Sequence, residues 1–126
     1  MNDKSRILII EDDPDISFMI KLMLEKKGFA AVIAAKEDEV AESIRDNVFD
    51  LVILDMLLSG VDGTEICKRL KLNNETSHIP IVMVSAHPNA KESSLAAGAN
   101  DFISKPFDMR DMLSRVSRLI AEEDRV

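Results

Sequence analysis

Two short apolar runs in this chain each end in carboxylate. Ile7-Leu8-Ile9-Ile10 leads into Glu11-Asp12-Asp13, and Leu51-Val52-Ile53-Leu54 leads into Asp55, which stands in a loop that is itself mostly apolar. Acids delivered by buried strands to one place repel one another unless a cation sits among them. Carboxylates offer only oxygen ligands, and an all-oxygen set favours a hard cation. Mg²⁺ suits best, since it uses one or two carboxylates and completes its shell with waters and phosphate oxygens. A hydroxyl, Ser85, ends a third apolar run, and an ammonium, Lys105, follows a fourth strand-like segment. Cation, ammonium and hydroxyl together suit a transferring phosphoryl group, which needs charge stabilisation and in-line positioning above all. A carboxylate can itself be the nucleophile, giving an aspartyl phosphate.

The surrounding pattern supplies the elements that would position these groups. Strands are expected at Arg6–Ile10, Ala30–Ala34, Leu51–Leu54, Ile79–Val84 and Asp101–Ser104. The first, third and fourth read as continuous apolar runs, as strands covered on both faces should. Helical patterns alternate with them. Asp13 is a cap ahead of Pro14, and Ile16, Met19, Ile20 and Met23 recur at helical spacing until Gly28. Val40, Ala41, Ile44 and Val48 repeat the pattern. Asp62, with Glu65 three residues on, reads as a capping-box variant before Ile66 and Leu70. A small, polar fourth helix is expected from Asn89 to Ala97. Asp108 then caps a helix carrying Met109, Met112, Leu113, Val116 and Ile120. Such alternation implies an α/β fold with a parallel sheet between two helix layers. The form expected is the flavodoxin-like doubly wound (βα)5, whose five-stranded parallel sheet has the order 2-1-3-4-5. The switch point of that order lies between the first and third strands, so topology alone brings Glu11-Asp12 beside Asp55, with Ser85 and Lys105 at the same edge.

Composition narrows the class of function. A length of 126 residues with 46% hydrophobic content fits one domain spanning 1–126 with a real core. The formal net charge of −7 leaves a direct nucleic-acid role without an electrostatic footprint. The single Cys67 rules out an internal disulfide and fits a reducing compartment. No apolar stretch is long enough to span a membrane, and Met1-Asn2-Asp3-Lys4 opens no signal-peptide core. The expectation is a cytoplasmic protein.

Four stretches, ILIIEDD, LVILDMLLSGVDG, IPIVMVSA and DFISKPF, in this order over essentially the whole chain, resemble the receiver domain of two-component response regulators. The resemblance implies that Asp55 accepts a phosphoryl group. It implies an acid pair in Glu11 and Asp12, with Asp12 binding Mg²⁺ directly and Glu11 acting through water. The backbone carbonyl of Leu57 would be the remaining protein ligand. Ser85 would contact the phosphoryl group, Lys105 would hold its charge, Lys105-Pro106 would be a cis peptide, and Phe102 would be the aromatic switch. The implied partners are a histidine kinase or phosphotransfer protein and a downstream protein target or output domain. The implied role is signalling rather than enzymatic turnover, though a receiver promotes its own phosphoryl transfer and dephosphorylation. A homodimer through the helix-four to helix-five face is open.

Plainer readings stand beside these. Asp13 and Asp62 are caps, Cys67 is a small core residue, and the methionines fall at core spacing. His87, two residues past Ser85, flanks the expected phosphoryl site or is a surface histidine, and His78 lies in a polar loop. A flavoprotein on the same fold is disfavoured, since there is no Trp or Tyr and acids stand where a hydroxyl-rich phosphate loop would be. An aspartate-nucleophile phosphatase would place a second Asp two residues past the nucleophile, where this chain has Leu57. A phosphate-independent interaction module on the receiver fold is the remaining alternative. Two departures from the family pattern are visible. Ser59 stands where proline is usual, and the interval from Ser85 to Lys105 is about two residues short. The tail Ala121-Glu122-Glu123-Asp124-Arg125-Val126 reads as a domain edge.

Overall fold

The computed structural model describes residues 4–124, so Met1–Asp3 and the end of the tail lie outside the described residues. Five parallel strands form one sheet: β1 (Arg6–Ile10), β2 (Ala30–Ala34), β3 (Leu51–Asp55), β6 (Ile81–Ser85) and β7 (Asp101–Ser104), in the order β2-β1-β3-β6-β7. This is the expected flavodoxin-like order. The two intervening labels belong to a separate antiparallel hairpin, β4 (Leu57–Leu58) and β5 (Val61–Asp62), in the loop after Asp55. The helices are α1 (Pro14–Lys26), α2 (Glu37–Asp46), α3 (Gly63–Leu72), α4 (Ala90–Ala96) and α5 (Met109–Asp124).

The continuous apolar runs are explained by a sheet buried on both faces. Ile7, Ile9, Leu51, Ile53, Val82, Val84 and Ile103 face one layer, against Ile20 and Leu24 of α1 and Met112, Leu113 and Val116 of α5. Leu8, Ile10, Val52, Leu54, Ile81 and Met83 face the other, against Val40 of α2 and Ile66 and Cys67 of α3. Successive residues of each strand alternate between the layers, as the two-residue period requires. Full burial of each such side chain contributes about 1.5–3 kcal/mol. No helix among the described residues is long and apolar enough to cross a membrane.

The caps behave as their chemistry dictates. Asp13 accepts from the N–H groups of Asp15 and Ile16, with Pro14 at the first helical position. Asp62 accepts from Thr64, but Glu65 does not complete a capping box, since its carboxylate meets Lys68 instead. Asp108 accepts from the N–H of Arg110 at the start of α5.

Two boundaries differ from expectation by two residues, and the ends of β3, β6 and α4 by one. The α2 pattern does not reach Val48: the helix ends at Asp46, Asn47 is extended, and Val48 is 77% exposed. Phe49, the next residue, is the one buried in the core. β6 starts at Ile81 rather than Ile79. Pro80 has no N–H for the ladder, although its carbonyl accepts from Val52.

Candidate functional site

A parallel sheet sends all its carboxyl ends to one edge, and the register decides which residues meet there. Ile10 pairs with Leu54, Asp55 with Val84 and Ser85 with Ser104. Glu11, Asp55, Ser85 and Lys105 therefore stand at, or one residue beyond, the ends of β1, β3, β6 and β7. The ladder extends past the strands into this edge. Glu11 N–H donates to the Ala34 carbonyl, Met56 N–H to Val84 and Lys105 N–H to Ser85.

The carboxylates converge. Glu11, Asp12 and Asp55 each offer an oxygen, and these three atoms lie within 4.8 Å of one another. Glu11 and Asp55 are buried, at 4% and 8% exposure, whereas Asp12 faces solvent. Lys105 ties the buried pair together, its Nζ lying 3.2 Å from Glu11 Oε1 and 3.5 Å from Asp55 Oδ1. The second Glu11 oxygen accepts from Asp13 N–H at 3.1 Å.

The electrostatics follow from crowding. Burial is the main force pushing Glu11 up to about 7, and the neighbouring charge of Asp55 adds to it against the pull of Asp13 N–H and Lys105. Burial also works against the Lys105 ammonium, but Asp55 and then Glu11 outweigh it and lift the group above the ordinary lysine range. Asp12 goes the other way. Its slight burial is outweighed by the hydroxyl and N–H of Ser59, and its carboxyl is held below the usual range. Three carboxylates face one ammonium, and all the anionic ligand atoms are oxygens. That donor set fits a hard divalent cation, which would relieve the repulsion between Glu11 and Asp55.

Of the remaining expected residues, Leu57 lies in β4, two residues after Asp55, with its side chain 65% exposed. Ser85 is buried at the end of β6, and its Oγ accepts from His87 N–H at 3.0 Å. Phe102 is half-buried in β7, in register with Met83 and packed against the second core layer. By register it stands level with Leu54, one position short of Asp55. The Lys105–Pro106 peptide bond is cis. His78 and His87 are exposed, and Cys67 is buried.

Two residues of the edge were not singled out as site residues from sequence. Gly63 N–H donates to the Met56 carbonyl at 2.6 Å. A Cβ at Gly63 would collide with the Asp55 carbonyl oxygen and stand 2.8 Å from Met56 Cα. The Asp-Gly pair at 62–63 was the available signal, read only as a cap. Ser59 has φ +47°, and both its N–H and its hydroxyl donate to Asp12 Oδ2, at 2.9 and 3.0 Å. Its sequence signal was the departure from proline, which points to a different loop but not to this bond.

A response regulator receiver domain model matches residues 7–117. The DNA-binding dual master transcriptional regulator RpaA of Synechocystis is 37% identical over 126 residues, covering 96% of this chain and 51% of that protein. This chain spans about half the length of the curated relatives it matches. A CheY-like response regulator receiver domain protein from Methanospirillum hungatei superposes with a TM-score of 0.89 at 30% identity, covering 98% of each chain. The receiver domain of the Pseudomonas aeruginosa sensor histidine kinase PA1611 superposes at 0.84 with 25% identity, over 94% of this chain and 99% of that one. Its crystal structure holds a magnesium ion coordinated in the active site cleft.

Proposed function

The chain belongs to the response-regulator receiver family, the signalling modules of two-component phosphorelays, and from that premise we propose that Asp55 accepts a phosphoryl group from a phosphohistidine. The donor is a histidine kinase or a phosphotransfer protein. A carboxylate oxygen of Asp55 attacks phosphorus, the P–N bond breaks, and its electron pair leaves with the imidazole. The product is an acyl phosphate. The observation that carries this reading is the buried Asp55 carboxylate, held by Lys105 in one cluster with Glu11 and Asp12.

Asp12, Asp55 and the Leu57 carbonyl would hold Mg²⁺, with Glu11 acting through water. When bound, the ion supplies positive charge that neutralises the phosphoryl oxygens. The magnesium ion in the active site cleft of the Pseudomonas receiver supports Mg²⁺ as the ion. Lys105 leaves its bridge between Glu11 and Asp55 for a phosphoryl oxygen. The Ser85 hydroxyl, which accepts from His87 in the resting state, donates to another. Moving Ser85 toward the phosphate opens space that Phe102 fills by turning inward, and α4, β7 and α5 are reshaped. The phosphate thus favours one of two arrangements the domain already samples. Hydrolysis resets it. The domain promotes its own phosphorylation and dephosphorylation and turns over no separate substrate.

Within residues 1–126 we assign one receiver domain, read by a protein target, an output domain or a second copy through the α4–β7–α5 face. DNA binding belongs to the name of the relative, whose length is about twice what this chain covers. The test is intact mass after incubation with acetyl phosphate and Mg²⁺. The expected result is one labile phosphate, lost in Asp55→Asn and on chelation. A folded, Mg²⁺-loaded protein without an adduct would instead favour the phosphate-independent interaction module.

A further inference from the structure

Ser59 is the one non-glycine residue with positive φ among the described residues. L side chains rarely take that backbone, so something must hold it there. What the residue gains is two charge-assisted hydrogen bonds to a single oxygen of Asp12. Asp12 sits on the loop after β1, whereas Ser59 sits in the β4–β5 hairpin, two residues after Leu57. The bond therefore spans the two loops that carry ligands in the metal reading above. Proline, usual at this position in the family pattern, has no N–H and no hydroxyl, and its ring holds φ near −65°. It could make neither bond.

We propose that Ser59 is a positioning residue for the divalent cation: it clamps Asp12 Oδ2 and locks the hairpin to the first loop, so that the carboxylate meets the ion in a set orientation. This rests on the metal reading of the site. Losing a group outside the coordination shell that orients a metal ligand typically costs about 10–100-fold in metal affinity or activity. The clamp also explains how a chain without the usual proline keeps this loop in one conformation. Rigidity supplied elsewhere by a ring is here supplied by a bond that converges on the site itself.

Ser59→Gly isolates the effect, because glycine accepts the positive φ and keeps the N–H while losing the hydroxyl. Mg²⁺ titrations of wild type and variant, followed by amide chemical shifts or calorimetry, read the dissociation constant. Metal-free thermal midpoints read the fold. The proposal expects Mg²⁺ binding weakened about tenfold in Ser59→Gly, with the metal-free midpoint unchanged. Equal affinity in wild type and Ser59→Gly would overturn the clamp while leaving the metal site standing. Tighter binding in the variant would also overturn it, by showing that the Ser59 donors compete with the ion. A wild type with no saturable Mg²⁺ binding would overturn the metal reading and the clamp together.

Discussion

Glu11 is where the cost of this site is concentrated. Its carboxyl is buried, stands beside Asp55, and is pushed from the ordinary 4.5 up to about 7. The sign of the consequence is set by linkage. A carboxyl whose folded value lies above its unfolded value leaves the native state with more bound protons between the two, so stability falls as pH rises. The stabilisation is fully present below about 4.5 and lost as pH passes through about 7. Lys105 acts only above the ordinary lysine range of 10.5 and does not enter this window. Metal-free protein should therefore lose on the order of a few kcal/mol between these limits. Glu11→Gln should flatten the profile, and saturating Mg²⁺ should restore stability at the upper end. Thermal midpoints across pH for both proteins check this, and an unchanged slope in the variant would assign the dependence to other groups. Glu11, Asp12 and Asp55 were legible in sequence because they follow or end runs of buried-strand type, whereas Lys105 follows the half-exposed segment Asp101–Ser104 and was placed by topology. Ser59 was not, because its role depends on a left-handed backbone and on a partner 47 residues away.

At the scale of elements, the β3–α3 connection carries the tightest packing at the site. Gly63 opens α3 where its Cα passes the backbone of Asp55 and Met56, and no side chain fits there. Gly63→Ala should cost about 1–3 kcal/mol through forced backbone movement. Because the atoms displaced include the backbone of Asp55, the proposed acceptor, phosphorylation by acetyl phosphate should slow more than the stability loss explains. Denaturant midpoints and adduct formation rates, measured on the same preparation, separate the two effects. A stability loss with an unchanged rate would mean that the collision is absorbed by the start of α3. The strands were readable to within one or two residues, since burial on both faces leaves continuous apolar runs. The end of α2 was not. Val48 continues a helical stripe by type, but Asn47 is already extended and the chain instead buries Phe49. The β4–β5 hairpin has two residues per strand, too few for any periodicity to show.

For the molecule as a whole, topology links the sequence to the site. A parallel sheet in the order β2-β1-β3-β6-β7 places β1 and β3 side by side, so the acids that end them meet. Alternation and crossover handedness give the parallel sheet, and the flavodoxin-like order completes the placement. What alternation does not encode is the proposed coupling from this edge to a distant face through Ser85, Phe102 and α4. The central claim is narrower: the group at the end of β3 receives the phosphoryl. Reductive trapping tests it most directly. Borohydride reduces an acyl phosphate to the alcohol, so an aspartyl phosphate becomes homoserine, which peptide mass spectrometry can place. After phosphorylation in Mg²⁺, the account predicts homoserine at position 55 and at no other acid. Homoserine at position 12 or 13, or a phosphate that survives borohydride, would contradict it.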